Sequence, residues 1–444
     1  MKNMRFKLIQ CLLLALVLIS SASLHAQEAD NTFTVKGQIM TRGEMRLGGY
    51  RGDSLNHDPS AFFVMGRYQL DFDYKRSWLE VHLSPKNAGV WGQADGSLSL
   101  AEAWAKIDTK SGFFVKIGRQ MLQYDDGRII GYDDWTMTAP THDVLKIGYE
   151  GHGHKVHALV AYNQDPKNMD SGGHYYSGGI QPYKTMQTLW YHYETPKSFF
   201  GISLLGMGIG MQGVDMHSNE FFYQMLVGSY MTLRPKPCLI ETAFYYQMGK
   251  EEHGTPLDAF MGSVKVSVKP SEVYNLYAGY DYLSGDKYFA VPQGGSIGLV
   301  HHDKIRGFSP IFGIHHQFYG AMDFFYINNY VNGFTPGLQN LYAGGSVNPV
   351  KALNLNASYH FFAIATDLED LKKPLGHEVE LSATYAFANF VKLSAGYSFM
   401  RGTETMYTLQ HVSENHQLHW GWVMLNINPT FFTTTWKDKN KTTK

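Results

Sequence analysis

Arginine and aspartate side chains are concentrated between residues 118 and 135. Arg119 and Arg128 carry guanidinium groups, which can form paired hydrogen bonds with carboxylates or phosphates. Asp126 and Asp134 lie close enough along the chain to fix the orientation of those groups. The chemistry that this pattern predicts is recognition of an anion, with no bond broken. The alternative is a loop that is braced by ion pairs and contacts no ligand.

Signals for other kinds of chemistry are weak. Residues 208–213 match a dinucleotide-binding expression, but no amphipathic helix follows to receive a pyrophosphate. Adjacent histidines such as His301 and His302 would point to opposite faces of an extended strand, which disfavours a shared metal ion. A membrane-embedded hydrolase would need a serine, a histidine and an orienting group that can be far apart in sequence. We predict no catalytic residue, no metal site and no cofactor.

The elements that must position the arginines show an alternation of apolar and polar residues with a period of two. In residues 35–47, Val35 and Ile39 fall on an apolar parity, whereas Lys36 and Gln38 fall on the other. Because successive side chains of a strand point to opposite faces, this is a strand with one apolar face and one polar face. The same alternation recurs in residues 62–74, 76–83, 155–163, 353–360 and 392–399.

Turn signals such as Lys110-Ser111-Gly112 separate these runs. The runs predict about 16 to 20 strands, with about 18 preferred, each long enough to cross a bilayer when tilted. Beyond residue 26, no segment is long and apolar enough for a membrane-spanning helix. The predicted fold class is an all-β, antiparallel transmembrane β-barrel. A soluble sandwich or propeller is disfavoured by the strand lengths and by aromatic residues near strand ends, such as Tyr191 and Tyr280.

The N-terminus has the residue order of a secretory signal peptide. Lys2, Arg5 and Lys7 precede an apolar run, which is followed by small and polar residues up to Ala26. The predicted organisation is therefore a signal peptide (residues 1–26), one outer-membrane barrel (27–436) and a polar C-terminal tail (437–444).

The composition supports a single large barrel. Charged residues make up 17% and aromatic residues 14% of the chain, where about 25% charged residues is ordinary for a soluble protein. Without the three cations of the predicted signal peptide, the 38 Lys and Arg become 35 against 39 Asp and Glu, a formal charge of −4. Nucleic acid is therefore not a predicted partner. Cys238 remains alone after export, which leaves no intramolecular disulfide.

The central segment resembles the alginate export family of outer-membrane barrels, in the form common in Bacteroidota. Two flanking segments support the resemblance, namely Arg42-x-Glu44-x-Arg46 and residues 375–381. The central residues that carry it are Gly118-Arg119-Gln120, Tyr124, Gly127-Arg128-Ile129-Ile130-Gly131, Asp134-Trp135 and Asp143.

The resemblance implies a monomeric barrel of about 18 strands with short periplasmic turns, longer outer loops and a charged lumen. It also implies cationic side chains that attract an anion to the pore. Arg119 shares the parity of Val115 and Ile117, so a bulge or the exit of the strand would have to turn it inward. The candidate pore and anion-binding residues are Arg42, Glu44, Arg46, Arg67, Arg119, Arg128, Asp126 and Asp134.

The predicted function is passive passage of small polar or anionic solutes, saccharides and uronates among them, across the outer membrane. Three alternatives stay open, namely a dedicated alginate-like polysaccharide exporter, a phospholipase-type barrel and a closed barrel with an adhesive role. The predicted partners are the bilayer, the barrel assembly machinery and the solutes, with periplasmic export partners for an exporter. The segment 123–138 could lie outside the barrel or fold into the pore.

Overall fold

The computed structural model describes residues 31–47, 60–93, 98–109, 111–163, 183–212, 220–251, 253–287, 303–325, 336–368, 371–410 and 417–437. Within these ranges, all strands belong to one antiparallel sheet. The strands are β1 (Asn31–Leu47), β2 (Ala61–Arg76), β3 (Leu79–Val90), β4 (Leu98–Asp108), β5 (Phe113–Gln120), β6 (His142–Gly151), β7 (His154–Tyr162), β8 (Thr185–Glu194), β9 (Phe200–Gln212), β10 (Phe221–Leu233), β11 (Cys238–Lys250), β12 (Pro256–Val268), β13 (Tyr274–Leu283), β14 (Leu338–Val350), β15 (Leu353–Ala363), β16 (Pro374–Ala388), β17 (Val391–Gly402), β18 (Leu418–Ile427) and β19 (Thr430–Trp436).

Among the described residues, helical structure is limited to short segments. A 3-10 turn at Pro196–Ser198 joins β8 to β9, α1 spans His315–Phe318, and α2 spans Glu404–Gln410. Over the described ranges, no helix has the length and apolar character needed to cross a membrane.

The sheet closes into a barrel because β1 pairs along both of its edges. One edge pairs with β2, and the other pairs with β19 and then with β18. Between those two pairings, Gly37 donates a hydrogen bond to the carbonyl of Pro429 at 3.0 Å. Because proline has no N–H to give to the ladder, β18 and β19 are two parts of one wall strand interrupted at Pro429. The closed wall therefore has 18 strands, which confirms the predicted fold class.

Side chains alternate between an apolar outer face and the interior. On β1, Ile39 and Met45 are exposed on the outside at 51% and 49%, whereas Arg42 and Glu44 are buried inside at 4% and 1%. On β2, Arg67 is likewise buried. This confirms the faces predicted from the period of two, and an apolar belt around a closed barrel is the surface that a bilayer covers.

The connections differ in length at the two ends of the barrel. Turns such as residues 77–78, 152–153 and 351–352 lie at the end where β1 begins, and the connections at the opposite end include residues 121–141 and 284–337. In bacterial outer-membrane barrels, the short turns face the periplasm and the long loops face outward. The short-turn end of this barrel therefore corresponds to the periplasmic end of such barrels.

Two of the long connections fold into the interior. The first inward segment is residues 121–141, between β5 and β6, and the second is residues 303–325, between β13 and β14. Gly131 donates a hydrogen bond to the carbonyl of Phe312 at 2.8 Å, and Phe312 donates to the carbonyl of Ile129 at 3.1 Å. The segment 123–138 therefore lies inside the barrel, attached to the second inward segment.

A hydrophobic core fills the loop-rich half of the interior. Leu122 and Ile130 of the first inward segment, and Phe308 and Phe325 of the second, are each at most 1% exposed. Full burial of such a side chain stabilises a protein by roughly 1.5–3 kcal/mol. The inward segments are thus part of the folded core. The wall residues in this core include Met186, Met261, Leu338, Met400 and Leu418.

The predicted signal peptide and residues 438–444 of the predicted tail lie outside the described ranges. The domain boundaries at residues 26 and 436 stay predictions.

Candidate functional site

Arg128 joins the first inward segment to the barrel wall. Its guanidinium nitrogens lie 2.9 Å from Asp281 on β13 and 3.1 Å from Asp126, and the side chains of Arg128 and Asp281 are 2% and 0% exposed. Phe318 of α1 covers the guanidinium at 4.1 Å. Asn340 on β14 donates a hydrogen bond to the second Asp281 oxygen at 3.0 Å. The ion pair therefore ties both inward segments to two wall strands.

Arg67 on β2 holds the same segment at a second point. It donates hydrogen bonds to the Asp134 carboxylate at 2.6 Å, to the Thr136 carbonyl at 3.2 Å and to Gln38 at 3.0 Å. Tyr132 also donates to Asp134, at 2.8 Å. Burial and the Asp134 carboxylate raise the pKa of Tyr132, which keeps its hydroxyl protonated as a donor. The Arg67 donors are thus used within the protein.

Arg42, Glu44 and Arg46 form a third anchor on the inner face of β1. Glu44 lies 2.8 Å from Arg42 and 2.9 Å from Arg46, so it offsets part of the charge of both. Arg42 donates a hydrogen bond to the Trp135 carbonyl at 2.7 Å and lies 3.8 Å above the Trp135 ring. Trp420 on β18 donates to Glu44 at 2.9 Å.

Arg119 lies on the outer face of the barrel, which corrects the expectation that it lines the pore. It has the outward parity of Ile117, which is 58% exposed, whereas the next residue, Gln120, is fully buried. β5 and β6 pair without a register shift, so no bulge at this pairing turns Arg119 inward. Asp143, directly opposite, accepts two hydrogen bonds from Arg119, each at 2.9 Å. This bidentate partner offsets the charge near the loop-rich end of the wall.

Seven of the eight candidate residues therefore lie in the interior, at three separate anchors. Their charges bind one another, the wall and the first inward segment, as the braced-loop alternative predicts. Arg46 keeps 16% of its side chain exposed, whereas Arg42, Arg67 and Arg128 are at most 4% exposed.

A row of lysines that no sequence motif singled out crosses the inner wall. Lys106 lies directly opposite Lys116, and Lys116 lies directly opposite Lys146. Across the ranges that the structure covers, Lys106 pairs with Asp108 at 2.5 Å, and no carboxylate lies within 4.0 Å of Lys116 or Lys146. Like charges directly opposite one another destabilise a sheet. Because Glu80 on β3 lies directly opposite Lys106, the positive charge without a close carboxylate is at Lys116 and Lys146.

Two of the cavities formed by the described residues lie in the interior. One, of about 200 Å³, is lined by Arg67, Lys86 and Asp134 among others. The other, of about 450 Å³, lies between the second inward segment and the wall from β12 to β18. A depression of about 840 Å³ on the outer wall is almost entirely apolar and belongs to the lipid-facing surface.

His316 of α1 fixes the second inward segment beside the larger cavity. Its Nδ1 lies 3.0 Å from Asp323, and its ring stacks on Trp135 at 4.9 Å. Burial by itself lowers the pKa of His316, but the Asp323 carboxylate outweighs burial and raises that pKa above its usual value. Within the described part of the chain, no three His, Cys, Asp or Glu side chains are placed to hold a metal ion.

A serine, a histidine and a glutamate form a hydrogen-bonded chain on the inner wall. Ser203 Oγ lies 2.9 Å from His192 Nδ1, and His192 Nε2 lies 3.3 Å from Glu194. A hydrolase nucleophile needs such partners, but it also needs access to substrate. Ser203 is 1% exposed and lines neither interior cavity. Residues 294–298 match the Gly-x-Ser-x-Gly expression of hydrolases and lie outside the described ranges.

The chain resembles solved outer-membrane porins in its fold. A BenF-like porin from Pseudomonas fluorescens Pf-5 superimposes with a TM-score of 0.60 at 12% identity, covering 90% of this chain and 99% of that one. OccK2 (OpdF) of Pseudomonas aeruginosa superimposes with a TM-score of 0.61 at 12% identity, covering 90% of this chain and 98% of that one. The chain has the porin fold.

A further structure of OccK2, in complex with glucuronate, superimposes with a TM-score of 0.61 at 11% identity. No protein-family model and no curated protein matches this porin-like chain. At these identities the likeness shows the fold alone, and the resemblance to the alginate export family stays a prediction.

Proposed function

We propose that the chain forms an outer-membrane channel through which small polar solutes pass without chemical change, with anions favoured. The apolar outer belt, the closed wall and the porin fold support placement in the outer membrane. The lipid bilayer and the barrel assembly machinery are the partners that such a location requires.

The row of Lys106, Lys116 and Lys146 carries the anion preference. Two of these cations lack a carboxylate within 4.0 Å in the described structure, and all three face the interior. A pore wall lined with one sign of charge raises the local concentration of the opposite ion. The predicted arginines act differently in this proposal. Most of the predicted charged residues hold the inward segments that narrow the passage, namely Arg42, Arg67, Arg128, Glu44, Asp126 and Asp134. Arg46 is the predicted arginine of this group that keeps some contact with the lumen.

Uronates are the anions that we propose first, because the OccK2 complex holds glucuronate and because the sequence resembles alginate export proteins. A long polyuronate would have to pass two segments held by buried ion pairs and by a shared core. Short uronates therefore fit the interior better than an exported polymer.

The test is the reversal potential of single channels in a planar bilayer under a salt gradient. The full-length protein should prefer anions, and Lys116→Gln with Lys146→Gln should lower the anion-to-cation permeability ratio by about twofold or more. Lys236→Gln changes an exposed turn residue and serves as the matched control. An unchanged ratio in the double variant would overturn the role of the lysines, and a folded barrel that conducts no ions would overturn the channel.

A further inference from the structure

Three aromatic side chains that line the 450 Å³ cavity pack against glycines of the inner wall. A Cβ added at Gly396 on β17 would lie 2.4 Å from the ring of Trp422. A Cβ added at Gly279 would lie 2.4 Å from Tyr342, and Gly344 has the same relation to Tyr277, at 2.5 Å. Each of these side chains therefore packs on backbone and lines the cavity. Tyr342 is only 7% exposed and stacks on His360 at 5.5 Å, so Trp422 and Tyr277 are the two rings that present surface to a ligand.

The rest of the lining is polar, and its charges are already bound. Lys265 lies 4.0 Å from Glu241, and Glu380 accepts hydrogen bonds from Ser358 at 2.6 Å and from the Ala321 N–H at 2.7 Å. The other polar groups include the imidazoles of His316 and His360. They also include hydroxyls and amides, which can both donate and accept hydrogen bonds. These belong to Asn356, Ser382, Thr384, Ser394 and Ser398.

The first inward segment fixes one of the rings in place. Trp135 meets Trp422 edge to face at 4.7 Å, and it stacks on His316 of the second inward segment at 4.9 Å. Both inward segments therefore shape the cavity.

We propose that this cavity is a binding site for an uncharged saccharide, which deepens the proposed channel function and rests on it. A pyranose ring has apolar C–H faces and a rim of hydroxyls. The rings of Trp422 and Tyr277 suit the apolar faces of the sugar, and the hydroxyl and amide groups suit its hydroxyl rim. The Glu380 carboxylate in this lining has neutral hydrogen-bond donors and would repel a uronate, so a neutral sugar is favoured. The lysine row faces a different part of the interior. The site would hold a sugar in transit beside the passage for anions.

Rings over glycines also stabilise a β-wall by themselves, so the test must detect a ligand. Calorimetric titration of the refolded full-length protein in detergent with maltose should show saturable binding. Trp422→Ala should weaken maltose binding by about tenfold, and Trp422→Phe, which keeps a ring, by about threefold or less. Trp78→Ala, in a turn of the short-turn end, should leave binding unchanged. If Trp422→Ala fails to fold, Tyr277→Ala replaces it, with the same expected weakening.

Two results would overturn the saccharide site. One is a folded protein with no saturable maltose binding, or with maltose binding that Trp422→Ala and Tyr277→Ala leave intact. The other is glucuronate binding that displaces maltose and is lost in the Lys116→Gln, Lys146→Gln variant, since that would place the sugar at the lysine row. Because titration needs no conduction, failure of the channel and failure of this site are distinguishable. A silent barrel that binds maltose contradicts only the channel, and an anion-selective pore that binds none contradicts only the site.

Discussion

Replacing Arg128 by methionine tests whether its ion pair holds the inward segments inside the barrel. The change keeps most of the side-chain volume but leaves Asp281, which is 0% exposed, with the neutral Asn340 amide and Ser263 hydroxyl as side-chain donors. Removing one partner of a buried ion pair costs about 3–5 kcal/mol. Since 1.4 kcal/mol corresponds to a factor of ten, the population with an opened first inward segment should rise by a factor on the order of 10² to 10³.

Hydrogen exchange of the folded barrel measures this opening directly. Amides of residues 121–141 should lose protection in Arg128→Met, and single channels should become larger or noisier. Arg119→Met is the matched control, because its pair with Asp143 lies on the outer face of the wall and contacts neither inward segment of the described structure. Adding Asp281→Leu to Arg128→Met should restore much of the protection, since no buried charge is then left alone. Unchanged exchange in a folded Arg128→Met barrel would refute the reasoning.

Gly118→Ala should destabilise the barrel by more than about 3 kcal/mol, because Gly118 has a φ of +120° and an added Cβ would lie 2.2 Å from the Ala103 carbonyl oxygen. Thermal unfolding measures this loss of stability. Gly421→Ala is the control, because the atom nearest to its added Cβ would be 4.0 Å away. Equal melting temperatures of the two variants would contradict the steric role of Gly118. The pair of His316 with Asp323 should stabilise the second inward segment fully below pH of about 6.5 and lose this effect as pH rises through the raised pKa of His316. Amide hydrogen exchange speeds up with pH in any protein, and in residues 315–323 it should speed up by more than this intrinsic amount. Asp323→Asn should remove the additional increase. Exchange in residues 315–323 with no additional increase as pH rises would contradict the role of the pair.

The wall could be predicted from local pattern. On β1, Ile39 and Arg42 fall on opposite parities, and the structure places them on opposite faces. Strand number also followed from counting alternating runs, although Pro429 divides the last wall strand into two segments. Local pattern suffices here because the period of two in side-chain direction is a property of extended backbone itself.

The site was only partly predictable. Lys106 and Lys116 are placed symmetrically about the turn signal Lys110-Ser111-Gly112, so hairpin geometry could have paired them. Lys146 lies beyond the first inward segment, and its register depends on how β6 pairs with β5. For Arg119, parity pointed correctly to the outside, and the expectation of a compensating bulge was wrong.

The sequence by itself determined a closed barrel with an apolar outside and a polar inside, because alternation acts within each strand and turn residues separate the strands. Only the tertiary structure decided that the central segment enters the lumen, since its partners come from distant parts of the chain. Arg128 meets Asp281, and Arg67 on β2 meets Asp134. Side chains 153 and 67 residues apart come within hydrogen-bond distance through the curvature of the wall and the path of the inward segments. Neither the curvature nor the path leaves a periodic signal in the sequence.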